Sequence, residues 1–142
     1  MKPEETIDFQ IKWAWHKISK IYNSLAFTRE MTLAMGHALL NIDLKNGTPS
    51  TSLGPKMGME PKSLSRLINT LEERQWIVRE KDKSDGRVTK IKLTEEGFKF
   101  RNYAKQTVVA FNTQLKEQLP DSKLQAFFEV MQAIKTFELK TS

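Results

Sequence analysis

The sequence predicts a mainly α chain with a small β-hairpin, and three observations carry the prediction. Apolar residues recur at helical spacing towards both ends of the chain. Two β-compatible runs, Trp76 to Lys81 and Val88 to Leu93, flank a short polar loop. Between Pro61 and Gly97, a helix, that hairpin and the start of another helix follow one another, which is the layout of a winged helix-turn-helix. The remaining helices read as a lobe that holds two copies together.

Residues 4 to 27 read as the first helix. Ile7, Ile11, Ala14, Ile18, Ile21 and Leu25 form a heptad-like seam, and Phe9, Trp13, Trp15, Tyr22 and Phe27 add apolar surface beyond it. A second helix is expected from Met31 to Lys45, with Leu33, Leu40 and Leu44 along one side and Asn46-Gly47 as its stop. Thr48-Pro49 reads as a short extended piece. Ser50 or Ser52 then caps a short helix with Leu53 and Met57 inward and Gly58 at the turn. Pro55 has no backbone donor, so this helix is expected to begin near Ser52, which places Pro55 in the first turn.

The helix at 61 to 75 is amphipathic. Leu64, Leu67, Ile68 and Leu71 commit one face to a core, and Pro61 suits the first helical position. The other face carries short polar and cationic groups, and Lys62, Ser63, Ser65, Arg66 and Asn69 are the side chains suited to base edges and phosphates in a major groove. In the hairpin, Val78, Ile91 and Leu93 are expected to face inward. Its loop, Asp82 to Arg87, includes Gly86, which is free to take positive φ. Arg79, Lys81, Lys83, Arg87, Lys90 and Lys92 lie on or beside it, so the wing can project cations, with Lys83 and Arg87 at the tip suited to phosphates or a narrow minor groove. Asp82 and Asp85 are read as orienting those cations. They do not open an EF-hand loop, since the sixth and twelfth positions from Asp82 are Arg87 and Leu93.

The order Leu71-Glu72-Glu73-Arg74, a short hydrophobic strand, Asp82-x-x-Asp85-x-Arg87 and Leu93-Thr94-x-x-Gly97 resembles the MarR family of winged-helix transcriptional regulators. The likeness covers nearly the whole chain. It implies a single domain, 1–142, with a dimerisation lobe formed by 1–30 and 98–142 and a winged-helix DNA-binding lobe over 31–97. It also implies a small-molecule effector pocket between the two, for which Trp13, His16, Phe27, Met31 and Met35 are candidate lining. Gln75 departs from the pattern, standing where glycine is expected, so a left-handed turn there costs about 1 kcal/mol more.

Thr94 reads as the N-cap of a long helix ending near Leu119, with Ala104, Val108, Phe111 and Leu115 as its stripe. After Pro120, a last helix from about Ser122 to Glu138 carries Leu124, Phe127, Phe128, Met131, Ile134 and Phe137. That is more large apolar surface than one small domain buries at its end, which favours a homodimer.

Charge and composition narrow the function. Residues 61 to 93 hold nine Lys/Arg against five Asp/Glu, so +4 of the net +6 sits on the proposed reading head, and a polyanion is the natural partner. With no cysteine there is no disulfide or thiol switch, and His16 and His37 stand without neighbours at metal-ligand spacing. No nucleophile–base pair or phosphate loop argues for an enzyme, and no cofactor is indicated. No apolar run is long enough for a membrane span and the amino terminus lacks a signal-peptide pattern, so a cytoplasmic protein is expected. The reading is a sequence-specific regulator binding a pseudo-palindromic duplex operator as a homodimer, by resemblance a repressor under effector control. The rival reading is a winged helix used only for protein–protein contact.

Overall fold

The computed structural model describes residues 1–25 and 31–141. A single 3-10 turn, Pro3–Glu5, leads into α1 (Ile7–Leu25), followed by α2 (Leu33–Leu40), β1 (Thr48–Pro49), α3 (Ser50–Met57), α4 (Pro61–Glu73), β2 (Ile77–Lys81), β3 (Thr89–Leu93), α5 (Glu95–Glu117) and α6 (Asp121–Lys135). Residues 1–107 and 108–142 form two compact units. The first contains the buried core: Tyr22, Met35, Ala38, Leu39, Leu53, Leu64, Ile68, Leu71, Trp76, Ile77, Ile91 and Ala104 are all below one-tenth exposed. In the second, no residue of α6 is buried. The expected position of Phe27 in the first helix lies outside the described residues.

The second helix is shorter than expected and presents a different face. It stops at Leu40, and Met35, Gly36, Ala38 and Leu39 are its buried residues, while Leu44 is half exposed. Two short polar side chains end it. Asn41 donates its side-chain amide to the His37 carbonyl at 2.8 Å, and the Asp43 carboxylate accepts the Lys45 and Asn46 amides at 3.0 and 2.8 Å. Such local bonds give the backbone an alternative to helix. The same two amides hold the Asp43 carboxyl below its usual range. Gly47, at φ 72, then turns the chain into β1.

α3 begins at Ser50, earlier than the expected start near Ser52, and neither serine caps it. Pro49 is the N-cap residue, and the Ser52 hydroxyl donates to the Pro49 carbonyl at 2.8 Å. Pro55 is therefore the sixth residue of the helix and lies outside its first turn. The amide it lacks would have served the carbonyl of Thr51, an exposed residue. Gly58 closes the helix in the left-handed conformation at φ 63, as the turn reading expects.

β3 is the central strand of a three-stranded antiparallel sheet ordered β1-β3-β2. The register pairs Ile77 with Leu93 and Arg79 with Ile91 on one face, and Val78 with Lys92 and Glu80 with Lys90 on the other. Since strand side chains alternate between faces, burying Ile77 and Ile91 turns Val78 out, and it is 42% exposed. The expectation that Val78 faces inward is corrected by this phase.

The end of α4 is built as a Schellman turn. The Gln75 amide donates to Glu72 O at 2.9 Å and the Trp76 amide to Leu71 O at 3.0 Å, with Gln75 left-handed at φ 62. Glutamine thus occupies a glycine conformation. Thr94 locks this turn to α5: its hydroxyl donates to Gln75 O at 2.6 Å and accepts from the Gly97 amide at 3.0 Å, while its own amide donates to Trp76 O at 3.0 Å. Gly97 lies so close to this junction that a Cβ there would sit 1.9 Å from Trp76 O. Trp76 also stacks on Phe100 with ring centroids 4.0 Å apart.

His37 on α2 lies between the rings of Trp15 and Tyr22 of α1, at centroid distances of 6.1 and 6.4 Å. Burial lowers its pKa from the usual 6.5.

Gly97→Ala is expected to cost about 1–3 kcal/mol in denaturant unfolding, because neither α5 nor the Trp76 carbonyl can yield freely. Gln75→Gly is expected to stabilise by about 0.5–1 kcal/mol, relief of left-handed strain outweighing the flexibility of the unfolded chain. A glycine that destabilised would show that the Gln75 side chain holds the turn by other means. Because the folded-state pKa of His37 is depressed, its contribution is fully present above pH 6.5 and is lost as pH falls towards the folded value. Unfolding midpoints of His37→Gln should therefore vary less than wild type below pH 6.5, and an unchanged pH profile would contradict this.

Candidate nucleic-acid interface

The exposed face of α4 follows from its buried one. With Leu64, Ile68 and Leu71 in the core, the 3.6-residue period turns Lys62, Ser63, Ser65, Arg66 and Asn69 to solvent, and all five are exposed. The side chains of Lys62, Ser63, Ser65 and Arg66 form no hydrogen bond or ion pair with any described residue. Thr70 is different: its hydroxyl donates to the Arg66 carbonyl at 3.0 Å, turning back onto the helix.

Asn69 is held from the sheet. The Arg79 guanidinium donates to Asn69 Oδ1 and makes an ion pair with Glu72 at 3.3 Å. Arginine has no acceptor, so this contact fixes the amide with its oxygen towards Arg79 and its NH2 available to a partner. The sequence places Arg79 with the outward wing cations. Instead it shares the inward phase of Ile77 and Ile91 and bridges β2 to α4. The signal for this was the strand alternation itself, which the inward assignment of Val78 set one residue out of phase.

At the wing, the tip is shaped by aspartates. Asp82 accepts the Ser84 amide at 2.8 Å and Asp85 accepts the Arg87 amide at 3.1 Å, two side-chain turns that form without positive φ at Gly86. The same carboxylates pair with cations. Arg87 pairs with Asp85 at 3.2 Å and Lys90 with Asp82 at 3.6 Å, while Lys92 pairs with Glu80 at 3.0 Å. The Arg87 side chain nevertheless remains 91% exposed, held in place but open to a partner. The Arg87 guanidinium and then the Arg87 amide hold the Asp85 carboxyl below its usual range; for Asp82 the Ser84 amide does most, helped by Lys90. Lys81 and Lys83 are exposed and unpaired among the described residues.

The candidate effector lining is divided. Met31 and Met35 are core residues at 3% and 2% exposure, Trp13 is 56% exposed with His16 against its edge, and Phe27 lies outside the described residues.

Residues 31–89 match the model of the MarR family. The uncharacterized HTH-type transcriptional regulator YhbI of Bacillus subtilis is 26% identical over 111 residues, covering 78% of this chain and 72% of that protein. A MarR-family transcriptional regulator from Rhodococcus sp. RHA1 superposes with a TM-score of 0.75 at 26% identity, covering 92% and 93% of the two chains. CouR from Rhodococcus jostii RHA1, bound to p-coumaroyl-CoA, gives 0.81 at 24% identity over 99% of each chain. The repressor CouR on a 23-mer DNA duplex gives 0.77 at 23% identity over 93% and 94%.

A test separates positioning from contact at Arg79. If it only positions Asn69 and Glu72, Arg79→Ala weakens duplex binding while the slope of log K against log salt stays at the wild-type value. If it touches a phosphate, the slope falls by about 0.9.

Proposed function

We propose that this MarR-family chain is a homodimeric, sequence-specific reader of duplex DNA that acts as a transcriptional repressor. The observation that carries the proposal is the sorting of charge on α4 and the wing. The sheet cations Arg79, Lys90 and Lys92 are neutralised by Glu72, Asp82 and Glu80, whereas Lys62, Arg66, Lys81 and Lys83 are left without a described partner. Unpaired cations on an amphipathic helix beside a cationic hairpin suit the major groove and the flanking backbone. CouR, of similar fold, is a repressor seen on a DNA duplex, which supports the same use here.

Lys62, Ser63, Ser65, Arg66 and Asn69 are assigned to the major groove, with Lys83 and Arg87 on the adjacent backbone or minor groove. Dimerisation is supported by apolar surface that one copy leaves bare. α1 exposes Ile7, Trp13 and Trp15, and α6 exposes Phe127, Phe128 and Val130, each by half or more. On this reading residues 1–30 and 98–142 form the dimer lobe and 31–97 the DNA lobe. Two heads imply a pseudo-palindromic operator with half-sites about one helical turn apart. Effector control is inferred from CouR bound to p-coumaroyl-CoA, and such a ligand must favour one of two conformations of the dimer.

Titration against an operator selected from random duplexes, and against scrambled DNA, tests the residue roles. Arg66→Ala should cost about 1–3 kcal/mol on operator and relax one base position, whereas Arg87→Ala should weaken both DNAs alike. Equal and negligible losses for the two variants would remove the assignment.

A further inference from the structure

The α3–α4 crossing leaves a groove that the charged reading face does not account for. At Gly54 the helices approach so closely that a Cβ would lie 3.3 Å from the Met59 carbonyl oxygen and 3.4 Å from Leu64 Cδ2. Beside that crossing, and lined in part by Gly54 itself, lies a groove of about 520 Å³. Its walls include Pro55, Met59 and Pro61, with buried Leu64 beneath, and no lining residue is charged. One exposed hydroxyl, that of Ser65, stands on its α4 side and makes no hydrogen bond with a described residue. Ser65 belongs both to the groove lining and to the exposed face of α4, so the groove borders the face assigned to base edges.

Ser50 and Thr51 add two hydroxyls on the α3 side, so the groove offers an apolar wall with hydroxyl groups and no charge, of which only that of Ser65 lies on α4. In the major groove only thymine presents a methyl group next to an acceptor, its C5-methyl beside O4. Guanine offers two acceptors, adenine an acceptor and an amine, and cytosine an amine. We propose that this groove is a thymine-reading subsite, in which the C5-methyl packs against Pro55, Met59 and Pro61 while the Ser65 hydroxyl donates to O4. The inference rests on the DNA-binding function proposed above and adds a base identity to it. A thymine is thereby specified in each half-site opposite the first turn of α4, at a position that the cationic readers Lys62 and Arg66 do not set.

Removing one methyl from DNA tests this without altering base pairing. In the selected operator, each thymine is replaced singly by deoxyuridine and affinity is measured by titration. One position per half-site should bind about fourfold more weakly, the worth of one buried methyl, and both half-sites together about fifteenfold. In Pro61→Ser, where a small polar group replaces the ring at a helix start that tolerates it, the deoxyuridine effect at that position should shrink below about twofold. Ser65→Ala, an exposed change that leaves the core untouched, should weaken the thymine operator several-fold and bring it closer to one carrying cytosine there. An operator bound specifically yet indifferent to every deoxyuridine overturns the subsite. So does a deoxyuridine effect that persists undiminished in Pro61→Ser, because the methyl is then read elsewhere. If no operator is selected at all, the DNA-reading proposal fails and takes this subsite with it.

Discussion

The close contact between Gly97 and the Trp76 carbonyl is the constraint on which the reading head depends. Three elements meet there: the Schellman turn that ends α4, the first residue before β2, and the first turn of α5. Thr94 bonds all three, with its hydroxyl shared between Gln75 O and the Gly97 amide and its amide given to Trp76 O. The angle between α4 and the hairpin is consequently set by backbone groups, which have few alternative partners once buried. The Trp76–Phe100 stack and the Arg74 guanidinium, 5.4 Å from the Trp76 ring centre, close the junction from the side.

From that fixed junction the charge pattern follows. β2 leaves the turn with Ile77 buried, so Arg79 two residues on returns to the same face and meets Asn69 and Glu72 of α4. The helix is thereby tied to the sheet at both its end and its middle. Lys90 and Lys92 are occupied by acids of the hairpin itself, and what remains unpaired lies on the exposed face of α4 and along the wing. Surface ion pairs of this kind contribute little stability, typically below about 1 kcal/mol each. Their consequence here is geometric, because they decide which cations are free to meet a polyanion.

Much of this was legible from residues alone, for reasons that differ by element. α4 announced itself by Pro61 and a clean 3.6-residue stripe, and the wing by Asp82-x-x-Asp85-x-Arg87, whose side-chain turns are local and so written into a short span. The exposed assignments of Lys62, Ser63, Ser65, Arg66 and Asn69 followed directly from the stripe. Other features depended on interactions between distant residues. The early stop of α2 comes from Asn41 and from Asp43, whose amide also reaches Thr48 Oγ1 at 2.8 Å. The inward phase of β2 is set by pairing with β3, and a run as short as Ile77-Val78 offers no internal evidence of which residue is buried. Pro55 lies inside α3 because the helix starts at Ser50 with Pro49 as its N-cap, a start that the flanking serines do not announce. Gln75 kept the left-handed turn despite its Cβ, since the Schellman bonds and Thr94 over-determine it.

The account stands or falls on two copies of α4 and the wing facing duplex DNA, and the absence of cysteine makes this directly measurable. Single-cysteine variants Ser63→Cys and Ser84→Cys, each carrying a tethered iron–EDTA cleaver, are bound to the selected operator and the cut positions mapped on both strands. The account predicts two symmetry-related clusters about one helical turn apart for Ser63→Cys, and for Ser84→Cys two further clusters displaced outward along the backbone. Scattered cutting without two-fold symmetry, or cutting from Ser84→Cys alone, would contradict it.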